Sequence, residues 1–327
     1  MALVTTPLTF EPIFKSMLWG GRRLPSFLSR PAPHADPIGE AWVLSDVEGN
    51  LSRVAEGPHA GKSLRDLISA DPVGIFGNHP PADGRFPLLL KFIDARQELS
   101  VQVHPDDERA VTLAGPGKRG KTEAWVILDA DPATSRIYAG FREGVTADRF
   151  RQAMAERVTP ETLHSYTPQR GDCVFLPAGT VHAIGANILL FEVQQTSDIT
   201  YRLYDWDRVD AKTGQPRELH IDHGLMCSDF AKGPCPPVTP QVIDDRHALV
   251  DCDYFQLVRY LENRPFAVGR SGECRVVVVV EGEGELKHGS TDLAVRVGSV
   301  VMLPASVGEA RIVPHVAMTV LECGWPT

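Results

Sequence analysis

The sequence predicts a mainly β chain of two strand-rich units with a few short helices, and three observations carry that expectation. First, 28 Gly and 26 Pro punctuate 327 residues, while long helical periodicities are few, the composition of a strand-and-turn architecture. Second, short runs that either alternate or are wholly apolar recur between turn residues, at 39–45, 86–93, 99–104, 122–128 and 188–193. Third, a Gly-x5-Pro segment appears twice, from Gly171 to Pro177 and from Gly298 to Pro304, each within a strand–turn–strand rhythm. The repeat reads as an internal duplication whose second copy lacks a histidine where His182 stands in the first.

Bulk properties narrow the function. A hydrophobic fraction of 43% and a charged fraction of 23% are those of a globular protein with ample core, enough for two modest domains or one large one. The 33 basic and 42 acidic residues give a net charge of −9, which argues against nucleic acid or an anionic membrane as the main partner. A small anionic substrate stays compatible, because a few local Lys and Arg residues outweigh a global field. The first fifteen residues lack the basic and apolar pattern of a signal peptide, and no run is apolar enough to span a bilayer. Six cysteines, at 173, 227, 235, 252, 274 and 323, form no CxxC pair. That disfavours a cysteine metal site and fits reduced thiols in the cytoplasm.

In chain order, 18–21 (Leu-Trp-Gly-Gly) reads as a tight turn, and 39–45 as a strand with Trp42 in the core and Glu40 solvated or paired. Ser63 caps a short helix carrying Leu64, Leu67 and Ile68 at helical spacing. Residues 86–93 form an apolar run buried on both faces, and 99–104 alternate so that Ser100, Gln102 and His104 share one face. Such a face is either the wet side of an edge strand or part of a site. Residues 105–110 form a helical turn with acids at its start, and 122–128 a strand with Glu123 and Trp125 on one face. Thr146 caps the clearest helix, amphipathic through Phe150, Met154 and Val158. Residues 232–240, rich in Pro and Gly, are the predicted linker, dividing 1–235 from 236–327.

Three distant segments each offer metal-competent side chains on strands: Gln102 with His104, Glu123, and His182. Two imidazoles, a carboxylate and an amide oxygen suit a borderline divalent ion with one position open. The segment Gly171-x5-Pro177-x-Gly179-x2-His182 resembles the second motif of the cupins, jelly-roll barrels that gather ligands inside the barrel. A fuller resemblance is to the class I mannose-6-phosphate isomerases in their short bacterial form. It rests on Trp19-Gly-Gly, Gly39-Glu-x-Trp42, Phe86-Pro-Leu-Leu-x-Lys91, Ser100-x-Gln-x-His104-Pro, Gly120-Lys-Thr-Glu123-x-Trp, Pro177-x-Gly-Thr-x-His182-Ala, Thr200-Tyr-Arg202-x-Tyr-Asp and Pro216-Arg-Glu-Leu-His220.

The resemblance implies two cupin barrels, the C-terminal one degenerate, and one Zn2+ per chain bound by Gln102, His104, Glu123 and His182. It also implies that Arg202, Lys121 and Lys91 serve catalysis, with Ser100, Lys121 and Arg202 meeting a sugar phosphate. The implied reaction interconverts mannose 6-phosphate and fructose 6-phosphate through a cis-enediol(ate). The base that moves the proton is open between a cavity lysine, a histidine and a metal-bound hydroxide. The bland alternatives are an ion pair of Arg202 with Asp205 or Asp207, and a solvated loop for Lys121. Two other functions compete: an isomerase of another sugar, and a sugar-phosphate-binding cupin without turnover. The oligomeric state is left open, a monomer among the options.

Overall fold

The computed structural model describes residues 4–210 and 214–326. Four larger sheets stack in sequence. A five-stranded sheet runs Leu163–Tyr166, Ile137–Phe141, His182–Ile184, Val101–Val103, Tyr201–Tyr204. Facing it is a six-stranded sheet in the order Cys173–Leu176, Glu123–Ala130, Ile188–Gln195, Leu88–Ala95, Ile13–Gly21, Ile38–Leu44. The C-terminal part contributes a seven-stranded sheet centred on Met318–Gly324 and a four-stranded sheet that includes Glu283–His288.

The strand Leu88–Ala95 shows how the sequence builds this stack. All eight of its residues are buried, as its uninterrupted apolar run requires. Side chains alternate across it. Leu88, Leu90 and Phe92 enter a core shared with Val276, Val278, Leu321 and Cys323 of the seven-stranded sheet. Ile93 and Ala95 point the opposite way, toward the five-stranded sheet, with Trp125, Ile127 and Leu190. Lys91 lies on that second face. The outer side of the five-stranded sheet is closed by the helices Ala147–Ala155 and Ile221–Cys227, through Phe150 and Cys227 packed on Val101, Val103 and Leu203. Burying these aliphatic and aromatic groups contributes roughly 1.5–3 kcal/mol each.

The Gly-x5-Pro repeat has a shared geometry. Gly171 and Gly298 both adopt positive φ, 89° and 86°, a conformation that favours glycine. Between the two C-terminal sheets, however, Val277, Val279, Leu286, Val301, Ile312 and Val320 fill the space with aliphatic side chains. A buried acid there, Glu322, is satisfied by Tyr260 and Gly269 N, and among the described residues no ligating cluster like the one between the first two sheets forms.

Most expected elements stand close to their expected bounds, including Leu64–Ala70, capped by Ser63 in a reciprocal capping box with Asp66. The predicted turn at 18–21 is corrected: these residues end the strand Ile13–Gly21. A Cβ on Gly20 would stand 2.5 Å from Gly39 N, so this glycine serves close strand approach rather than a reversal. Residues 232–240 have no regular structure, as a linker would, yet they are tied down by Cys235 N to Ala139 O and Val238 N to Cys173 O. At the other end, Leu8–Thr9 pairs with Met302 and Val301, which builds the N-terminal segment into the seven-stranded sheet.

Candidate metal centre

Two rows of side chains face each other between the five- and six-stranded sheets. In the first, Gln102 is paired in register with His182 on one side and Arg202 on the other. Directly opposed residues in an antiparallel sheet project to the same face, so register alone aligns the three. In the second row Trp42, Lys91, Glu192 and Trp125 are cross-strand neighbours. Glu123 lies two residues before Trp125 on the same face, opposite Gln194.

His104, Glu123 and His182 are buried, and one ligand atom from each lies within 4.8 Å of the others. The His104 Nδ1–H donates to the Ile199 carbonyl at 2.8 Å, and the His182 Nδ1–H to the Thr180 carbonyl at 2.9 Å. These bonds fix both tautomers and leave each Nε2 with a lone pair, the outer support that metal-binding histidines need. His182 Nε2 stands 3.2 Å from Glu123 Oε1, and His104 Nε2 stands 3.5 Å from Glu123 Oε2. Glu123 Oε1 finds no hydrogen-bond donor. At the His182 contact, facing lone pairs 3.2 Å apart require a proton or a cation between them. The donor set therefore fits a divalent ion on its own geometry.

Gln102 Nε2 donates to His182 Nε2 at 3.3 Å. Turning that amide by half a revolution, which exchanges two ends of nearly equal size, presents Oε1 to the same point as a fourth ligand. Ser100 Oγ is buried and donates to Gln102 Oε1 at 3.3 Å; as a hydroxyl it accepts from Nε2 once the amide turns, so it supports either orientation.

Lys121 is buried, not in a solvated loop. Its Nζ lies 2.8 Å from Glu123 Oε2 and 3.0 Å from His104 Nε2. Lys91 is buried with Nζ 3.1 Å from Glu192 Oε1 and 3.8 Å from Glu40 Oε2, and it lies over the Trp42 ring. Glu40 accepts from Trp42 Nε1 at 2.6 Å, and Glu192 from Trp125 Nε1 at 3.0 Å. Two lysines thus balance a cluster of buried carboxylates. Burial works against the Lys91 ammonium, but Glu192 and Glu40 outweigh it and raise its pKa above the ordinary value. Burial likewise opposes ionisation of Glu192, and Lys91, Lys121 and the Trp125 hydrogen bond bring its pKa below the usual range. Glu192 was not singled out from the sequence; the available signal was one acid in the otherwise apolar run 188–193.

Burial raises the Glu123 pKa to about 7 against the pull of Lys121. Burial also lowers His182 to about 4, and burial with the Lys121 charge lowers His104 well below its ordinary value. Both imidazoles are consequently neutral near pH 7, the form that binds metal. Only Glu123 must lose a proton. Divalent-metal affinity is expected to rise with pH as Glu123 ionises through about 7, then to level off, with proton release on the acid side. Metal-binding isotherms across that window check this; affinity independent of pH would contradict it.

Arg202 is half-buried. Its Nη1 donates to the Glu218 carbonyl at 2.8 Å, and its Nε has no hydrogen-bond partner. Asp205 is held instead by Arg208, and by Arg217 Nε at 2.8 Å, while Asp207 accepts from Tyr204 and lies near Arg157. Among the described residues, neither acid forms an ion pair with Arg202. Its charge stays available at the end of the His182–Gln102 row.

A metal-competent His–Glu–His cluster held between the two sheets of a β sandwich defines a cupin-type protein. Comparison with known proteins narrows that class. Residues 8–131 match the family description "Phosphomannose isomerase type I, catalytic domain". The chain is 34% identical to the mannose-6-phosphate isomerase ManA of Bacillus subtilis, over 95% of this chain and 96% of that one. It is 32% identical to a mannose-6-phosphate isomerase of Streptococcus mutans, over 92% and 93% of the two chains. The crystal structure of the mannose 6-phosphate isomerase from Bacillus subtilis superposes with a TM-score of 0.88 at 28% identity, covering 98% of this chain and 99% of that one. The chain belongs to the type I phosphomannose isomerase family.

Proposed function

We propose that this protein is a zinc-dependent aldose–ketose isomerase that interconverts mannose 6-phosphate and fructose 6-phosphate. The observation that carries the reading is the cation-seeking convergence of His104, Glu123 and His182, in one row with an Arg202 that has no acid partner among the described residues. The names of the relatives supply the substrate. The ligands would be Gln102, His104, Glu123 and His182, one zinc per chain. Two neutral imidazoles, one carboxylate and one amide oxygen match zinc's preference for nitrogen and oxygen donors in a site with an open position. When bound, zinc would supply Lewis-acid polarisation of the substrate's carbonyl and hydroxyl oxygens.

The remaining work falls to the chain. Converting an aldose to a ketose moves a proton between C1 and C2 and passes negative charge to the enediol oxygens. Arg202, planar and without an acid partner among the described residues, would meet an enediolate or phosphate oxygen through two parallel N–H donors. Lys121 adds a second cation at the same site, and Ser100 supports Gln102 while presenting a hydroxyl to the substrate. Lys91, kept protonated by Glu192 and Glu40, acts as a fixed positive charge rather than as the base. Both histidines aim their free nitrogen at the metal position, which removes them from proton transfer. The walls of Trp42, Trp125 and Ile93 exclude water and strengthen these electrostatic contacts.

In this reading residues 1–235 carry catalysis and 236–327 cover the outer face of the six-stranded sheet. Six free cysteines agree with a reducing, cytoplasmic setting. Among the described residues no helix is long and apolar enough to cross a membrane. A coupled assay tests the function: fructose 6-phosphate is expected from mannose 6-phosphate, with little turnover of unphosphorylated mannose. Equal turnover of both sugars would favour a broader sugar isomerase, and no turnover of either would favour a binding protein.

A further inference from the structure

Beside the His–Glu–His cluster, the backbone of residues 120–122 is held by a dense set of directed hydrogen bonds. This segment precedes the strand Glu123–Ala130, so no ladder accounts for them. Gln195 takes Thr122 at both polar backbone atoms. Its Oε1 accepts from Thr122 N at 2.9 Å, and its own N donates to Thr122 O at 3.2 Å. Its Nε2 donates to Asp107 Oδ1 at 3.1 Å, and the same oxygen accepts from Gly120 N at 2.7 Å. Lys121 N donates to Pro105 O at 2.9 Å. Thr122 Oγ1 accepts from Ala178 N at 3.1 Å. Three consecutive backbone N–H groups therefore each end on a specific acceptor, and both neighbours of Lys121 are tied to one pair of side chains, Asp107 and Gln195.

The segment has no slack. A Cβ on Gly120 would stand 2.6 Å from Asp106 C and Asp107 N, so the loop is pressed against the start of the helix Asp107–Ala114. Gln195 is buried, and a buried amide is favourable only when its polar atoms are satisfied, whereas an apolar side chain of that size would pack there without the requirement. The geometry of Lys121 supplies the reason for an amide. Its Nζ, 2.8 Å from Glu123 Oε2 in this structure, has to be presented at the edge of the proposed ligand set, and a long flexible side chain does so reproducibly only from a fixed Cα.

We propose that Gln195 is a positioning residue for the reaction, fixing the backbone from which Lys121 reaches the edge of the ligand set, with Asp107 and Thr122 completing the clamp. The inference rests on reading Lys121 as a group that meets substrate.

A double-mutant cycle on the zinc-loaded enzyme tests it. Gln195→Met keeps side-chain volume and removes both side-chain hydrogen bonds. It is expected to retain wild-type zinc content and to lower kcat/KM by about ten- to a hundredfold, the scale of a small misplacement of a reacting group. Lys121→Ala is expected to lower kcat/KM as well, and adding Gln195→Met to it should cost nothing further. Wild-type kinetics for Gln195→Met, or losses that multiply in the double variant, would overturn the inference while leaving Lys121 in place. Wild-type kinetics for Lys121→Ala would overturn both. Should Gln195→Met not fold, the cycle is run with the exposed Asp107→Ala, which removes the acceptor of both Gln195 Nε2 and Gly120 N. Wild-type kinetics for Asp107→Ala, or losses that multiply with Lys121→Ala, would likewise overturn the clamp.

Discussion

Replacing His182 with alanine is expected to abolish tight metal binding and to lower isomerase turnover by about a thousandfold or more. His182 is buried, its Nδ1–H is committed to the Thr180 carbonyl, and its Nε2 lies 3.2 Å from Glu123 Oε1. Alanine removes one of two imidazoles from the set and leaves the buried Glu123 to Lys121, 2.8 Å away, without the charge of the metal. Losing Lewis-acid stabilisation worth several kcal/mol corresponds to about three orders of magnitude in rate. Metal analysis of the purified variant, read beside the coupled assay, checks both parts. A variant with full zinc content and normal kcat would remove His182 from the ligand set. Because its backbone sits between Ala139 and Gln102 in the sheet, the substitution leaves the ladder intact, and circular dichroism should be unchanged.

Arg202→Ala is expected to separate metal binding from turnover. Arg202 stands one strand beyond Gln102, on the far side from His182, and it supports no ligand directly. Its loss should keep zinc content at the wild-type level and cut kcat by about a hundred- to a thousandfold, the usual cost of deleting one donor to a developing oxyanion. Arg202→Lys should recover only part of this, since an ammonium keeps the charge and loses the planar pair of donors. Normal kinetics in Arg202→Ala would refute its role. Loss of zinc would mean that it acts by holding Gln102 instead. The ion pairs that could have accounted for this arginine are otherwise engaged, Asp205 with Arg208 and Arg217.

Much of this site was legible in the sequence, and the reason is local. Alternation in 99–104 is a property of a strand's own residues, so the common face of Ser100, Gln102 and His104 could be read without a partner. The apolar run around Lys91 likewise announced a strand buried on both faces, and the family's motifs placed Glu123 and His182. Register is different, because it links residues far apart in the chain. That Glu192 lies opposite Lys91, and that His182, Gln102 and Arg202 form one row, follow from pairings that no single segment contains. The same limit explains Gly20, whose neighbour Gly39 belongs to another strand, and Gln195, whose partner Asp107 begins a helix. The aliphatic filling of the C-terminal sheets was foreshadowed by the missing histidine in the second Gly-x5-Pro segment.

The central claim is that turnover depends on one metal ion held by Gln102, His104, Glu123 and His182. The most direct measurement strips the enzyme exhaustively with a chelator and titrates zinc back while following fructose 6-phosphate. The account predicts no activity in the stripped enzyme and a linear recovery that reaches its plateau at one zinc per chain. Full activity after complete metal removal would contradict it.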